Sequence, residues 1–346
     1  MKSIIIIAFL IGFYQSVNGQ TEKYEDPGYD TNYIKSFRND LIITAVSAYS
    51  NNTLSITDKF DNELIYATNL PMSFGLAFDY KWFTFEYTSS FGGQGEEAKG
   101  NTEISSLGFG LTLRKFWFRN FFQLNKGYYV DNPTYLNPDF DPTIDAYPHR
   151  PDLQTFTYFA SINYGFNHRR FSNMASLWQI ERQKKSAGSF TTGLSFALSS
   201  FSADSSIVPT RAIKNFSENA QLSGLDFLLV GLNVGYLHTF AMGKTRKWFI
   251  SLALIPGISF QKAIVYDKEG FSGDRESTAG AQVETRFIVG WNGDYWYTTM
   301  SSVIYGITTD FSNNLISQSY EYFRFVVGYK IKMGETKSPF LKKIGL

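Results

Sequence analysis

The stretch MSFGLAFDYKWFTFEYTSSF, residues Met72–Phe91, decides the fold. In residues 72–80, every second side chain is large and apolar, and the positions between hold Ser, Gly, Ala and Asp. After Lys81 the alternation resumes, with Phe and Tyr opposed to Thr, Glu and Ser. Because side chains alternate between the two faces of a β-strand, the stretch predicts two strands joined by a very short turn. Each strand presents one continuous aromatic face, and the fold depends on which solvent that face meets.

Composition favours a membrane barrel over a soluble enzyme. The 346 residues include 32 Lys and Arg against 31 Asp and Glu, so no net charge points to nucleic acid as a partner. Aromatic residues make up 18% of the chain, with 33 Phe and 22 Tyr. The mean hydropathy of −0.19 excludes a bundle of membrane helices, and beyond the N-terminus no apolar run approaches the ~20 residues that a spanning helix needs. This mixture is typical of strands that cross lipid.

The N-terminus predicts export. Lys2 precedes an apolar run over residues 4–14, and the small residues Val17 and Gly19 suit a cleavage site before Gln20. Residues 1–19 are therefore a predicted signal peptide; the alternative, an anchor helix, is disfavoured because the run is too short to span. The chain has no Cys, which excludes a lipoprotein anchor, disulfides, Cys–metal sites and thiol chemistry.

The period-2 pattern repeats along the chain and predicts a twelve-stranded barrel. Strands are predicted near residues 41–50, 72–80, 82–91, 104–114, 116–129, 154–166, 188–200, 226–240, 247–260, 278–291, 295–308 and 320–333. An even number of strands places both termini on the same side of the membrane. The predicted organisation is a periplasmic leader over 20–40, the barrel over 41–333 and a periplasmic tail over 334–346.

The connections between strands alternate in length. Short turns follow Tyr80, Arg114, Phe240 and Trp291, whereas long loops fill 51–71, 92–103, 130–153, 201–225, 261–277 and 309–319. Segment 167–187 is the exception, because it is long but falls on the short-turn side. Short periplasmic turns and long external loops are typical of a single transmembrane antiparallel β-barrel in the outer membrane of the cell.

The tryptophans support this orientation. All six fall on the predicted periplasmic side, which is typical of an aromatic girdle at the headgroup level. A soluble sandwich or lipocalin-like barrel has no reason to sort its Trp residues in this way. The aromatic face of Met72–Phe91 is therefore predicted to meet lipid and its polar face the lumen. The six residues are Trp82, Trp117, Trp178, Trp248, Trp291 and Trp296.

Charged residues on the predicted lumen face are candidate site residues. One interpretation is a lining of ion pairs that sets the selectivity of a narrow pore. The other is a self-paired polar network that fills a small barrel as packing, since twelve strands enclose a limited bore. The lumen-lining candidates are Asp79, Glu86, Arg114, Arg119, Glu284, Arg286 and Arg324, with Lys330 on the same predicted face.

Segment 167–187 is the most distinctive part of the sequence. Ser172 or Asn173 is a candidate cap for a short helix on which Met174, Leu177, Trp178 and Glu181 share a face. The surrounding sequence is basic. Three interpretations stay open: a lumen plug that pairs with inward carboxylates, a periplasmic contact with a partner or cell-wall polymer, or an elaborate turn. The candidate residues are Arg169, Arg170, Arg182, Gln183, Lys184, Lys185 and Ser186.

No motif predicts catalysis, a metal or a cofactor. Loop 130–153 carries Asp131, Asp139, Asp141, Asp145 and Asp152, but an acidic loop stiffened by Pro is ordinary outside the membrane, so no Ca²⁺ site is predicted. None of His149, His168 and His238 belongs to the His-x-Ser pattern of some outer-membrane lipid hydrolases. No Gly-rich phosphate loop is present. The chain is not predicted to be an enzyme.

Three segments carry a resemblance to a known family. FNHRRFSNMASLWQIERQKKSAGS (166–189), YDTNYIKSFRNDLIITAVSAYS (29–50) and GKTRKWFISLALIPGISFQ (243–261) resemble a family of uncharacterised outer-membrane β-barrel proteins from Bacteroidota. Residues 183–189 are the most specific part. The resemblance implies the same fold and compartment and, because the family is one of unknown function, no site residues.

The function predicted from these features is an outer-membrane barrel of unassigned role, acting as a narrow channel for small solutes. The first alternative is a plugged barrel that serves as a scaffold or cell-envelope assembly component; the second is a lipid-modifying enzyme. The predicted partners are membrane lipid and lipopolysaccharide, the outer-membrane assembly machinery, and a periplasmic or envelope protein.

Overall fold

The computed structural model describes residues 28–69, 72–90, 95–267, 272–311 and 314–333. The predicted signal peptide, the first part of the leader and the C-terminal tail lie outside these residues. Within them, one helix of more than a single 3₁₀ turn is present, α1 (Asn173–Leu177). No helix in these ranges is long and apolar enough to cross a membrane. The strands are β1 (Ile34–Ser36), β2 (Asp40–Thr57), β3 (Glu63–Ala67), β4 (Met72–Tyr80), β5 (Phe83–Ser90), β6 (Glu103–Thr112), β7 (Phe116–Val130), β8 (His149–Gly165), β9 (Glu181–Gln183), β10 (Ala187–Ser202), β11 (Gly224–Met242), β12 (Trp248–Tyr266), β13 (Ser272–Asn292), β14 (Trp296–Phe311) and β15 (Asn314–Lys332).

Twelve strands close into one antiparallel ring, which confirms the predicted barrel. Each pairs with its neighbour in the order β2–β4–β5–β6–β7–β8–β10–β11–β12–β13–β14–β15. The ring closes through β15 and β2, which pair continuously from Leu315 opposite Thr57 to Lys332 opposite Asp40. Closure satisfies the edge groups that would otherwise be unpaired, as a barrel in hydrocarbon requires.

Several strands extend further toward the long-loop end than predicted. Most of the predicted loop 261–277 belongs to β12 and β13, and most of the predicted loop 309–319 belongs to β14 and β15. The prediction of long loops at these two places is wrong. Beyond the membrane the outer face of a strand meets water, so the apolar alternation that identifies the strand is lost although the hydrogen-bonded ladder continues.

The predicted loop 51–71 also contains strand. β3 pairs with the upper half of β2 and, through Tyr66 and Ala67, with the end of β7. It thereby continues the wall above β4, β5 and β6, which are short. Just after β3, the side-chain amide of Asn69 links this part of the wall to the β5–β6 connection, because it donates to the carbonyls of Glu96 at 2.8 Å and Gly100 at 2.6 Å.

The outer wall is apolar and the inner wall is polar or small, as the period-2 pattern predicts. On β4, Phe74 and Leu76 are 42% and 51% exposed, whereas Asp79 on the inner face is 2% exposed. On β11 the apolar outer face runs from Leu228 to Phe240. With ~3.3 Å per residue and a tilt of ~40°, this run spans about 30 Å, the thickness of a hydrocarbon core.

The tryptophans lie at the short-turn end of the barrel, as predicted, but not all of their side chains face outward toward the lipid headgroups. Trp248 and Trp296 are 52% and 54% exposed at the short-turn end, as members of a girdle should be. Trp117 is only 4% exposed and packs inside against Phe171, and Trp178 also packs among inner-face residues. Trp117 has the same parity on its strand as the inward Arg119, so for these two residues the girdle prediction is wrong.

We predict a depth-dependent cost for charge on the outer wall. Val234 is 62% exposed near the middle of the apolar band and Leu228 lies at its upper rim. Val234→Lys should lower the free energy of unfolding from a bilayer by ~2–4 kcal/mol, and Leu228→Lys by about 0–1 kcal/mol. Denaturant titration in lipid vesicles measures both. Equal costs for the two variants would contradict a lipid-facing band.

Candidate functional site: the occluded lumen

The short-turn end of the lumen is filled by two chain segments, residues 28–39 and 167–186, which we call the plug. β1 and β9 pair antiparallel, with Ile34 opposite Gln183 and Ser36 opposite Glu181. The pairing is extended by Lys184, whose backbone N–H donates to the carbonyl of Tyr33 at 2.6 Å. The described part of the predicted leader is therefore built into the same unit as segment 167–187.

Helix α1 is the deepest part of the plug. The hydroxyl of Ser172 accepts a 3.1 Å hydrogen bond from the N–H of Ala175, which confirms the predicted cap. All five residues of α1 are buried. Gln179 has a φ of +53°, a left-handed conformation that turns the chain away from the helix. Glu181 consequently lies in β9, and its predicted place on the helical face is wrong.

Glu181 joins the plug to the barrel through buried charge. Its side chain is fully buried, and Nη1 of Arg114 lies 2.6 and 2.7 Å from its two carboxylate oxygens. Nε of Arg38 donates to the same carboxylate at 3.1 Å. The side-chain amide of Asn292, on β13, donates to the Glu181 carbonyl at 2.8 Å. The sequence predicts that Arg114 lines the lumen, but it lies in the β6–β7 turn and binds the plug.

Gln183 holds the plug together internally. Its side-chain amide donates to the carbonyls of Arg170 at 2.6 Å, Lys185 at 2.9 Å and Tyr33 at 3.3 Å. Its side-chain oxygen accepts from the N–H of Ser172 at 3.1 Å. One buried amide therefore ties both plug segments to the start of α1.

The other side of the plug faces away from the barrel and carries the basic candidates. Arg182 and Lys35 both bind Asp294 in the β13–β14 turn, at 3.3 and 2.5 Å. The hydrogen bond from Lys35 is the largest of the effects that lower the pKa of Asp294. Ser186 accepts a hydrogen bond from the N–H of Ala241 at 3.0 Å. The remaining basic candidates, Arg169, Arg170, Lys184 and Lys185, are exposed.

Above the plug, a belt of ion pairs crosses the lumen. Nη1 of Arg119 on β7 lies 2.7 Å from the carboxylate of Glu284 on β13, five places away around the ring. Nε of Arg286 donates to the same carboxylate at 2.6 Å, and its Nη1 donates to the side chain of Asn173 in the plug at 3.2 Å. The bore at this level is therefore closed by side chains that reach across it.

A second ion pair completes the belt. Arg324 donates to the carboxylate of Glu86, which also accepts from the hydroxyl of Tyr322 at 3.1 Å. The guanidinium of Arg324 lies 5.6 Å from the ring centre of Trp178 in the plug. The inward carboxylates Glu86 and Glu284 thus pair with arginines of the barrel itself. Among the described residues neither carboxylate pairs with a basic residue of the plug, so this pairing, part of one of the three interpretations of segment 167–187, is not observed.

The belt and the plug enclose a small chamber. Its volume is about 100 Å³, and its lining includes both ion pairs of the belt together with Leu177 and Trp178 of the plug. Polar surroundings and this volume suit a few ordered waters. The charges of the belt are paired with one another, which is the geometry that the second of the two interpretations expects.

The long-loop end of the lumen is closed by an apolar cluster that we call the cap. The connection between β10 and β11, residues 203–223, folds into the barrel mouth and buries Ile207, Val208 and Ala212 to 1% exposure. These side chains belong to one cluster with inward residues of the wall, among them Phe159 and Phe227. The cluster places an apolar constriction across the mouth of the lumen, and such constrictions gate pores by dewetting.

Arg150 and Asp152, at the start of β8, fasten the cap to the wall. The guanidinium makes two hydrogen bonds to Asp152, at 2.9 and 2.7 Å, and donates to the carbonyls of Ser206 at 2.8 Å and Ser205 at 3.2 Å. Asp152 also accepts from the N–H of Asp204 at 3.0 Å. The Arg150 hydrogen bonds are the largest cause that lowers the pKa of Asp152, to about 2.

We predict that this pair makes the cap sensitive to acid. Because the folded pKa of Asp152 is depressed, its contribution is present above pH ~4 and is lost as the pH falls toward 2. Asp152→Asn should lower the free energy of unfolding by about 2 kcal/mol at pH 7 and have little effect near pH 2. Thermal or denaturant unfolding over pH 2–7 measures it. Asp139→Asn in the exposed part of loop 130–153 is the matched control, and equal effects of both variants at pH 7 would contradict the prediction.

We also predict that Glu181 keeps the plug in place. Glu181→Ala leaves Arg38 and Arg114 without their buried partner, which costs ~3–5 kcal/mol. Trypsin should then cut the folded barrel at Arg182, Lys184 or Lys185 faster than in the unsubstituted protein. Glu96→Ala removes an exposed carboxylate paired with Lys99 and serves as the control. Unchanged cleavage in the Glu181 variant would show that other contacts hold the plug.

The remaining candidates lie apart from these contacts. Asp79 is buried on the inner wall near the short-turn end. In loop 130–153, Asp141 accepts hydrogen bonds from Thr143. In the part of the chain that the structure describes, no three His, Asp or Glu side chains gather as a metal site would require. His168 and His238 lie at the short-turn end, whereas His149 lies at the other end, at the start of β8.

Several residues that close the lumen are not predicted by the sequence. Arg38, Asn292 and Asp294 have no pattern that marks them, because each acts through a segment distant in sequence. The cap does leave a signal: Ile207, Val208, Phe216 and Leu222 are large apolar residues in a connection that a water-exposed loop would fill with polar ones.

Sequence comparison adds the family. Residues 28–330 match the model of a domain of unknown function (DUF4421). The chain belongs to this family. The match covers the described part of the plug and nearly all of the barrel, so both are parts of the DUF4421 domain. No curated protein matches significantly.

Solved structures similar to the DUF4421 chain include three bacterial proteins. The outer membrane protease OmpT from Escherichia coli has a TM-score of 0.37 at 8% identity, covering 86% of this chain and 98% of that one. The β domain of the Bordetella autotransporter BrkA has a TM-score of 0.31 at 9% identity, with 85% and 99% covered. The Pseudomonas putida toluene transporter TodX has a TM-score of 0.28 at 8% identity, with 86% and 91% covered.

Proposed function

We propose that this DUF4421 protein is an occluded outer-membrane barrel that serves as a scaffold in the cell envelope and does not conduct solutes in its folded state. The observation that carries the proposal is the apolar cap. Residues of the 203–223 connection and of the surrounding wall form one buried cluster across the lumen. Water and ions would have to cross that core, which is costly because polar solutes lose their hydration there.

The belt and the plug support the same function. Each is a separate obstruction, made of different residues, so opening a path requires the disruption of all three. Removing one partner of a buried ion pair such as Arg119–Glu284 is costly, because the other charge is left buried without a partner. A narrow pore would instead keep a continuous polar lining from end to end. The scaffold is therefore favoured over the channel.

Placement in the outer membrane is supported by the chain's own features. The predicted signal peptide directs export, and the apolar band of about 30 Å matches a bilayer. The last strand, β15, presents Phe323, Phe325, Val327 and Tyr329 outward, each more than a third exposed. Such a strand suits recognition by the outer-membrane assembly machinery, and the band contacts membrane lipid and lipopolysaccharide.

Planar-bilayer recording of the refolded mature chain tests the proposal, with heat-modifiable gel mobility as the check of folding. The unsubstituted barrel should show no conductance steps. Deleting residues 169–185 should leave it silent because the cap remains, and replacing residues 206–221 by a short Gly/Ser linker should leave it silent because the plug and belt remain. Combining both changes with Arg119→Ala and Arg324→Ala, which break the ion pairs of the belt, should produce conductance.

A variant with two point substitutions replaces the cap deletion in case that deletion prevents folding. Phe216→Asp together with Ile207→Asn hydrates the cap without shortening the chain, and in the 169–185 deletion that also carries Arg119→Ala and Arg324→Ala it should open the lumen. Discrete, ion-selective steps from the unsubstituted protein would overturn the scaffold proposal in favour of a channel. Conductance after the plug deletion alone would show that neither the belt nor the cap seals the lumen.

A further inference from the structure

The face of the plug that points away from the barrel carries a concentration of positive charge. Arg170, Lys184 and Lys185 are exposed there, and none of the three has a carboxylate within ion-pair distance among the residues that the structure describes. The nearby acid Asp294 is already shared by Lys35, Arg182 and the β11–β12 turn residue Lys247. Among the residues that the structure describes, this part of the plug therefore has more cations than carboxylates, which are Asp30 and the shared Asp294.

These cations are held in place by the fold of the plug. The guanidinium of Arg170 and the ammonium of Lys185 each lie 5.3 Å from the ring centre of Tyr33. The ammonium of Lys184 donates to the carbonyl of Thr31 at 2.8 Å. Gln183 fixes the backbone at Arg170 and Lys185 through the hydrogen bonds described above. Two of the three positive groups thus lie beside one ring, and the third is held by a backbone carbonyl.

The chemistry of this face points to a polymer more than to a folded protein. A stable protein interface usually has an apolar or aromatic centre depleted in charge. All exposed side chains of the plug are polar or charged. They are Thr31, Asn32, Lys35, Asn39, Arg169, Arg170, Lys184, Lys185 and Ser186.

Lipid headgroups do not account for these cations. Lipid surrounds the outer wall, where Trp248 and Trp296 mark the short-turn rim. The cations lie beside the β1–β9 sheet, which lies over the opening within the ring and is joined to it by Asn292 and Asp294. A ligand that reaches them has to approach from the aqueous side.

We propose that this face binds a carboxylate-bearing polymer, the peptidoglycan of the periplasm. The inference rests on the proposed function, because it takes the short-turn end as periplasmic, and it gives the scaffold a specific role in linking the outer membrane to the cell wall. Exposed cations held at separate fixed points, two beside Tyr33 and one on the carbonyl of Thr31, suit the spaced carboxylates of peptidoglycan stem peptides. Because the contacts are exposed, binding depends on salt.

Co-sedimentation of the folded full-length barrel, in detergent micelles, with purified peptidoglycan sacculi tests the proposal. The test variant combines Arg170→Gln, Lys184→Gln and Lys185→Gln. The matched control removes three exposed cations at the other end, with Lys59→Gln, Arg211→Gln and Lys214→Gln. The plug variant should bind about tenfold more weakly or worse, the control should bind normally, and rising salt should weaken binding.

A second probe tests the chemistry of the ligand. Sacculi whose carboxylates have been converted to amides should lose binding to the unsubstituted protein. Equal binding by both triple variants, or full binding to amidated sacculi, would overturn the proposal. Polyglutamate serves as a third probe. Binding to polyglutamate but not to sacculi would overturn the proposal in favour of an acidic polypeptide as the ligand. Conductance by a protein that still binds sacculi would refute the occluded scaffold while leaving the cell-wall contact standing.

Discussion

The structure depends on the requirement that a sheet surrounded by hydrocarbon leave no backbone group unpaired. The long ladder between β15 and β2 meets that requirement by joining the last strand to the first. Closure has a consequence for the interior. Twelve tilted strands enclose a space too wide to be filled by short side chains of the wall alone, so the lumen must hold water, additional chain, or both.

This protein fills the space with a different kind of interaction at each level. At the long-loop end, apolar side chains of the 203–223 connection make a core like that of a soluble domain. In the middle, Arg119 and Glu284 reach each other from nearly opposite strands. At the short-turn end, a helix and a two-stranded sheet close the opening. The chamber between belt and plug is small enough to hold only a few waters.

Buried charge connects these levels, and its cost explains its arrangement. Removing an ion from water is expensive unless its partner is close and well placed. Glu181 meets this condition with two arginines, one from the plug and one from a barrel turn. Arg286 bonds both to Glu284 and to Asn173. The plug is therefore held by groups that would lose their partners if it left the lumen.

Local pattern determined the strands of this protein. The alternation in Met72–Phe91 and its repeats is sufficient to predict twelve strands, the lipid-facing side chains and the direction of the short turns, because in a barrel each residue's environment depends on its parity. The N-cap of α1 by Ser172 also follows from sequence, since the hydrogen bond joins residues only three positions apart. The inward position of Trp117 could be predicted in the same way, because it lies two residues from the inward Arg119 and so shares its face of the strand.

Only the tertiary structure decided what fills the barrel. Arg38 and Glu181 are 143 residues apart in sequence, and Arg119 and Glu284 are 165 apart. No period relates such residues, and their meeting depends on the closed ring and on the course of irregular segments through it. The sequence also did not predict that β12 and β13 extend beyond the membrane, because strands surrounded by water lack the apolar outer face that identifies a membrane strand. Sequence alone therefore determines the wall, where environment repeats every second residue, and the tertiary structure determines the lumen, where contacts join distant residues without a repeat.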